Sequence, residues 1–245
     1  MDRILYTAMS GARQSMDQQS VVSNNLANAS TTGFRGQMQA LRAVPVQGDG
    51  ALATRTSVMA STPGADFSAG PMNATGRDLD VAMQGDAWLA VQATNGDEAY
   101  TRRGDLQVDG DGVLNSAGRP VIGEGGPIIV PLGAKLSMGA DGTLSAIGAG
   151  EDPDALVQIG RLKLVNGDEA GLQRGEDGLF RAAAGALGMD ENARLVAGAL
   201  EGSNVSPVES MVAMIDNGRR YEMQMKVIDT ADQNAQRADS LLSIQ

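Results

Sequence analysis

The sequence predicts an α+β protein. Paired N- and C-terminal helices form a coiled-coil-like assembly domain, joined through an extended arm to a central, mainly antiparallel β domain. Three observations predict it. A stripe of apolar and small residues runs from Val208 to Leu242 in steps of three and four, without a proline after Pro207. A weaker stripe of the same spacing runs from Leu5 to Leu26 at the other end of the chain. Between the stripes, Asx-Gly pairs recur among short β-type runs, at spacings of about ten residues in places.

The first helix is expected over Ile4 to Leu26. Its stripe is Leu5, Ala8, Ala12, Ser15, Gln19, Val22 and Leu26, with Met9 and Met16 beside it. It stops in Ser23-Asn24-Asn25-Leu26-Ala27-Asn28-Ala29-Ser30-Thr31-Thr32-Gly33-Phe34-Arg35. There Asn, Ser and Thr side chains compete for backbone hydrogen bonds and Gly33 can take a positive φ. From Gly36 to Asp80 the punctuation by Pro45, Gly48, Gly50, Pro63, Gly64, Gly70 and Pro71 reads as an extended arm or small β element. Only Thr56 to Ala60 looks like a strand there.

Strand-like runs then follow at Trp88 to Gln92, Leu106 to Val108, Pro120 to Ile122, Ile128 to Val130, Lys135 to Met138 and Thr143 to Ile147. Val157 to Val165, Leu179 to Ala182 and a return strand at Arg194 to Leu200 complete the series. The turns are Asn95-Gly96, Asp109-Gly110, Asp111-Gly112, Asp141-Gly142, Asn166-Gly167 and Asp177-Gly178, which favour an antiparallel sheet, sandwich or open barrel. The last helix opens with Ser206 as N-cap, Pro207 at the first helical position and Glu209 placed to close a capping box. Continuous to Leu242, it would be about 55 Å long at 1.5 Å per residue, against about 35 Å for the first helix. The expected divisions are 1–32, 33–80, 81–200 and 201–245.

Composition removes several functions. The chain has 245 residues and a formal net charge of -11, the wrong sign for neutralising nucleic-acid phosphates. It contains no Cys and no His, which excludes disulfides, thiolate nucleophiles, zinc sites built on those ligands and every His-based triad. Only 3% of residues are aromatic, so a core must be built from aliphatic side chains and stays thin in large anchors. No cleavable secretory signal and no membrane-spanning run are visible, which taken bare reads as cytosolic.

The remaining constellations have bland explanations. An EF-hand loop starting at Asp109 would put its bidentate carboxylate at Pro120, so Asp109-Gly110-Asp111-Gly112 is better read as hairpin turns. Gly123-Glu124-Gly125-Gly126-Pro127 lacks the Lys and the helix of a phosphate loop. Arg219, Arg220, Glu222 and Lys226 read as a solvated or inter-subunit face. Met211, Met214, Met223 and Met225 read as adaptable packing. No catalytic, cofactor or metal site is expected. A carboxylate pair acting on peptidoglycan is physically possible, and an adaptor closing into a coiled-coil dimer is a third reading.

Several strings resemble the bacterial flagellar rod and hook protein family. They are Asn24-Asn25-Leu26-Ala27-Asn28 with Thr32-Gly33-Phe34-Arg35, and Arg77-Asp78-Leu79-Asp80-Val81-Ala82-Met83 with Gly85-Asp86-Ala87-Trp88-Leu89-Ala90-Val91. Tyr100-Thr101-Arg102-Arg103-Gly104-Asp105-Leu106, Asp111-Gly112-Val113-Leu114 and Leu200-Glu201-Gly202-Ser203-Asn204-Val205-Ser206-Pro207-Val208-Glu209 extend the resemblance over nearly the whole chain. It implies a structural subunit of the basal-body rod, in its proximal segment, with a distal-rod subunit as the other reading. It implies partnership with copies of itself and other rod proteins, and export by the flagellar type III apparatus without a cleaved signal, which reverses the cytosolic reading. Neither nucleic-acid binding nor membrane insertion is implied. The family places its terminal helices in an inner tube around a channel, with the β domain outside. On that reading Leu5, Met9, Leu26, Val212, Ile215, Met225, Ile228 and Leu242 supply the assembly packing. Asn24, Asn25 and Asn28, with Gly33 and Phe34, set the turn beneath it.

Overall fold

The computed structural model describes residues 2–39, 41–45, 56–60, 64–148, 156–167, 171–183 and 185–242, with only the backbone at 2–4, 41–45, 56–60, 239 and 241–242. The chain is α+β, with one helix at each end and a mainly antiparallel β domain between them. It divides into two compact units, one comprising Met1–Ala29, Gln37–Gly64 and Val205–Gln245, the other Ser30–Gly36 and Ala65–Asn204. Among the described residues no helix is long and apolar enough to cross a membrane.

In the first unit, α1 (Asp2–Ala27, 26 residues) packs on α2 (Pro207–Leu242, 36 residues). The pair is antiparallel: Gln224 lies over Gly11, and residues near Val22 share a groove with residues near Ala213. The α1 stripe is the sheltered face, with Ala8, Ala12 and Ser15 buried and Leu5, Gln19, Val22 and Leu26 half-buried. On α2 the sheltered face follows the expected stripe at Tyr221, Ile228, Ala231, Ala235 and Ala238 and departs from it elsewhere. It runs through Ala213, Asn217, Tyr221, Gln224, Ile228 and Ala231, while Val208, Val212, Ile215 and Met225 are exposed. The sheltered positions recur in steps of three and four and so occupy one helical face, which leaves Val212 and Ile215 outside it. In the same unit Leu41–Pro45 pairs antiparallel with Thr56–Ala60, a partner strand that sequence reading did not find.

The second unit is built on a five-stranded antiparallel sheet. Its order is Leu164–Asn166, Ala87–Gln92, Glu98–Thr101, Phe180–Ala182, Leu172–Arg174. Residues Ala87 to Val91 are buried on both faces. Leu89 and Val91 join Val81, Leu106, Leu114, Leu144, Leu164 and Leu195 in the larger core, while Trp88 packs with Tyr100, Val165, Leu172 and Phe180 in a smaller one. Burial and a hydrogen bond to Glu98 push the Tyr100 phenol up to about 12, against the opposing bond donated by the Leu187 backbone N–H at 2.6 Å. The unit also holds two three-stranded antiparallel sheets, one of Leu106–Val108, Leu114–Ser116 and Arg119–Pro120, the other of Lys135–Met138, Thr143–Ile147 and Val157–Arg161, together with two-stranded pairings.

Four expected strands come out differently. The run from Pro120 to Ile122 is divided between Arg119–Pro120, which pairs with Leu114–Ser116, and Ile122–Gly123, which pairs with Gly126–Pro127. The run from Val157 to Val165 is two strands, because Leu162 turns into the core and Leu164–Asn166 pairs with Ala87–Gln92 instead. The run from Arg194 to Leu200 breaks at Gly198, whose φ is 74°, so its halves pair with Val81–Met83 and Met72–Ala74 respectively. Ile128 to Val130 contributes a single bridge, Val113 to Ile129. Asn166-Gly167 is also not the positive-φ hairpin turn expected from its composition. Gly167 is required for another reason: a Cβ there would overlap the Trp88 indole.

Gly167→Ala is therefore expected to destabilise the β unit by about 1–3 kcal/mol through overpacking. A denaturant titration followed by Trp88, the chain's one tryptophan, reads the loss directly.

The hairpin at Asp177 makes a second prediction. Hydrogen bonds from Arg181 at 2.7 and 2.9 Å, outweighing burial, hold the Asp177 carboxyl down at about 2. A depressed folded value means that this stabilisation is present above the ordinary carboxylate range and is lost as pH falls towards 2. Melts recorded across that range should show a loss on the order of 1 kcal/mol that Asp177→Asn removes.

Candidate functional site

The most highly bonded part of the β unit is where residues 33–36 meet residues 201–204. Glu201 is 1% exposed, and both of its carboxylate oxygens are engaged. Oε1 accepts from Arg35 Nη1 at 2.7 Å and from the Gly70 backbone N–H at 3.0 Å, while Oε2 accepts from Arg102 Nε at 2.9 Å. Arg35 and Arg102 are themselves 2% and 3% exposed. Arg35 also donates to the Ser68 carbonyl at 2.6 Å, and Arg102 to the carbonyls of Gly85, at 2.8 Å, and Ala87. Burial pushes the Arg102 guanidinium down; Glu201 opposes that shift, and the nearby charge of Arg35 adds to it.

The backbone around the carboxylate is stitched as tightly. Gly33 N donates to the Glu201 carbonyl at 2.7 Å, Asn204 N to the Phe34 carbonyl at 3.3 Å, and Gly202 N to the Pro71 carbonyl at 2.8 Å. The Asn204 side chain acts as a further strand: its Oδ1 accepts from Gly36 N at 2.7 Å, and its Nδ2 donates to the carbonyls of Asp66 and Ser68 at 2.9 and 3.0 Å. Gly33 sits at φ 65°, and a Cβ there would overlap the Arg102 backbone, so the position is closed to other residues on two counts. Phe34 is buried beneath Arg174, whose guanidinium lies 4.6 Å from the ring centroid and whose Nη1 donates to the Arg35 carbonyl at 2.9 Å. Burial pushes Arg174 down as well.

In the helix-bearing unit, Asn25 clamps the chain after the turn. Its Nδ2 donates to the Gln37 carbonyl at 2.9 Å and its Oδ1 accepts from Gln37 N at 2.8 Å, as a paired strand would. The Asn24 carbonyl accepts from Asn28 N at 3.1 Å and from Asn28 Nδ2 at 2.9 Å, which closes the last turn of α1. At the start of α2, Glu209 N donates to Ser206 Oγ at 3.3 Å, with Pro207 at the first helical position and the Glu209 side chain exposed. A polar groove between the helices is lined by Gln18, Val22, Asn25, Gln37, Ala213 and Asn217 among others.

The residues expected to make assembly contacts divide by exposure. Met9, Val212, Ile215 and Met225 are 58%, 54%, 56% and 43% exposed, whereas Leu5, Leu26 and Ile228 are half-buried. The side chain of Leu242 lies outside the described residues. Met16, Val208, Met211 and Met223 join the exposed apolar set.

None of this arrangement does covalent chemistry. Glu201 lies between two guanidiniums with no oxygen left for a substrate, and Asp109 is occupied by its own turn. The Asp109 carboxylate accepts from the backbone of Asp111 and Val113 and from Asn115 Nδ2 at 2.8–3.0 Å. Among the described residues no group of three or more acidic side chains is placed to hold a metal. Arg35, Arg102 and Glu201 carry no signal of a shared role in the sequence beyond the motif strings that contain them. The available signal was a carboxylate standing between short polar and glycine residues at the close of a β domain otherwise ending in apolar strands.

A chain of two terminal helices whose connections to a β domain converge on a buried carboxylate is the architecture of an assembly subunit. Three family models match it: "Flagella basal body rod protein" over residues 5–35, "Flagellar hook protein FlgE/F/G D1 domain" over 82–146, and "Flagellar basal body rod FlgEFG protein C-terminal" over 196–241. It is 54% identical to the flagellar basal-body rod protein FlgF of Salmonella typhimurium and 53% identical to that of Escherichia coli K12, each over the full length of both chains. Identity to the rod protein FlgG of Bacillus subtilis is 30% over 95% of this chain and 96% of that one. The chain belongs to the flagellar basal-body rod protein family, whose members are structural proteins and not enzymes.

Substituting Glu201 by Gln keeps its shape and leaves two buried guanidiniums without a counter-charge. The expected cost is about 3–5 kcal/mol, measured as a shift in the urea midpoint of Trp88 fluorescence.

Proposed function

We propose that this chain is a structural subunit of the proximal part of the flagellar basal-body rod. It polymerises with copies of itself and with other rod subunits into a tubular shaft that transmits torque and encloses the export channel. The observation that carries the reading is the exposed apolar row on the terminal helices, Met9, Met16, Val208, Met211, Val212 and Ile215, in a chain with this family's full-length similarity. A hydrophobic set of that size on two helices marks an interaction surface. A heterologous contact repeated about an axis builds a tube instead of a closed dimer.

On this reading the helices pair in coiled-coil fashion, with Leu5, Leu26 and Ile228 shared between the intrachain seam and its neighbours. Met9, Val212, Ile215 and Met225 face adjacent subunits. The chain from 33 to 80 serves as the arm between the helical and β parts, and 1–32, 81–200 and 201–245 as the remaining divisions. The subunit reaches the rod through the flagellar type III apparatus, without a cleaved signal. Cryo-microscopy of basal bodies carrying a tagged copy tests the whole reading; density for the tag anywhere but the rod overturns it.

Two further outcomes follow from the exposed row. The double variant Val212→Asp, Ile215→Asp should leave the melting of the isolated subunit within about 0.5 kcal/mol of the parent, because both sites are already solvated, yet abolish incorporation into rods and motility. Limited proteolysis of dilute monomer should trim the terminal helices first and leave the β unit intact. Resistant termini in the monomer would show that the helices are ordered without assembly.

A further inference from the structure

Tension applied along this chain from its helical ends meets the β unit at two places, Ser30 and Asn204, where the chain passes between the two compact units. The segments just inside those crossings are bonded to each other. Gly33 N reaches the Glu201 carbonyl, Asn204 N reaches the Phe34 carbonyl, and Gly36 N reaches Asn204 Oδ1. The residue numbers rise together on both sides, so the two segments run in the same direction. One is pulled from its N-terminal end and the other from its C-terminal end.

This geometry decides the mechanics. Two segments running the same way and pulled from opposite ends are sheared, so every bond between them is stretched at once; segments pulled from the same end open one bond at a time. The Arg35–Glu201 ion pair crosses the same junction at 2.7 Å, and Arg102 holds Glu201 from outside it at 2.9 Å, in an environment 1–3% exposed to water, where no solvent competes for the charges as the bonds lengthen. A third segment braces them from the side, through Gly70 N on Glu201 Oε1 and Gly202 N on the Pro71 carbonyl. The chain also leaves the β unit after Gly36 and re-enters it at Ala65, inside the stretch closed by these bonds.

We propose that the junction of residues 33–36 with 201–204 is a shear clamp, a mechanical device that keeps the β unit folded when the terminal helices are pulled. Glu201 is its central residue. The purpose assigned to it, resisting load in a rotating shaft, rests on the rod reading above. The clamp itself is a property of the single chain and can be measured without a rod.

The test is single-molecule stretching of the full chain between two handle domains fused to its termini. Opening of residues 30–204 should release about 60 nm of chain at roughly 3.5 Å per residue, in one event and at a force well above that for the helices. Forced unfolding follows the barrier and not the equilibrium stability. Accordingly Glu201→Gln, or Asn204→Ala should Glu201→Gln not fold, is expected to cut the opening force to about half or less, through loss of buried bonds strained at the barrier. Leu144→Ala, which opens a cavity in the larger core on the three-stranded sheet of Lys135–Met138, Thr143–Ile147 and Val157–Arg161, should lower stability in urea and leave that force unchanged. The chain lacks cysteine, so handles can also be attached at Asp111→Cys and Glu176→Cys, two exposed turns outside the clamp. Pulled there, the same protein should open at lower force and be insensitive to Asn204→Ala.

Equal forces from both attachment geometries would overturn the clamp, as would equal weakening by Asn204→Ala and Leu144→Ala. Either result would leave the rod reading untouched. A tag located outside the rod would remove the proposed purpose and leave the clamp standing.

Discussion

One buried carboxylate constrains the β unit more than any other group. Glu201 has lost its water, and its charge is tolerable only because two guanidiniums and a backbone N–H surround it. Those partners come from distant parts of the sequence, at 35, 70 and 102, so the carboxylate can be satisfied only when all three segments have arrived. A hydrophobic cluster would hold the same segments with some freedom to slide. Bonds with fixed length and direction do not allow that, and they set the register of residues 33–36 against 201–204 to within a single residue.

The consequences spread through neighbouring residues. Close contact between Gly33 and the Arg102 backbone leaves room for no side chain at 33. Arg102 must reach both Glu201 and the carbonyls of Gly85 and Ala87, which ties the junction to the central strand Ala87–Gln92 and to the Trp88 core behind it. Arg174 covers Phe34 and returns a hydrogen bond to Arg35. A chain segment that would otherwise be a loop is thus as well bonded as a sheet.

The helix pair follows the opposite logic. The fully buried part of its intrachain seam on α1 and α2 is small and polar, Ala8, Ala12, Ser15 and Asn217 among it, with Leu5, Val22, Leu26, Tyr221 and Ile228 half-buried, while Val212 and Ile215 are exposed. α2 is ten residues longer than α1, about 15 Å at the helical rise, so part of it has no helix of its own chain beside it.

Much of this was legible beforehand. The two terminal helices, the strands Leu106–Val108, Lys135–Met138 and Thr143–Ile147, and the positive-φ glycines at 96, 112, 142 and 178 follow from local patterns, since periodicity and turn chemistry act over a few residues. By itself the sequence determined the α+β class, the absence of His and Cys chemistry, and the family, because each is carried by residue identity or short spacing. The tertiary structure alone decided which face of α2 meets α1, why Gly167 must be glycine, where Arg194 to Leu200 breaks, and that Arg35, Arg102 and Glu201 meet. Each of these depends on groups far apart in the chain, and no local pattern records what a side chain will face after the chain has closed.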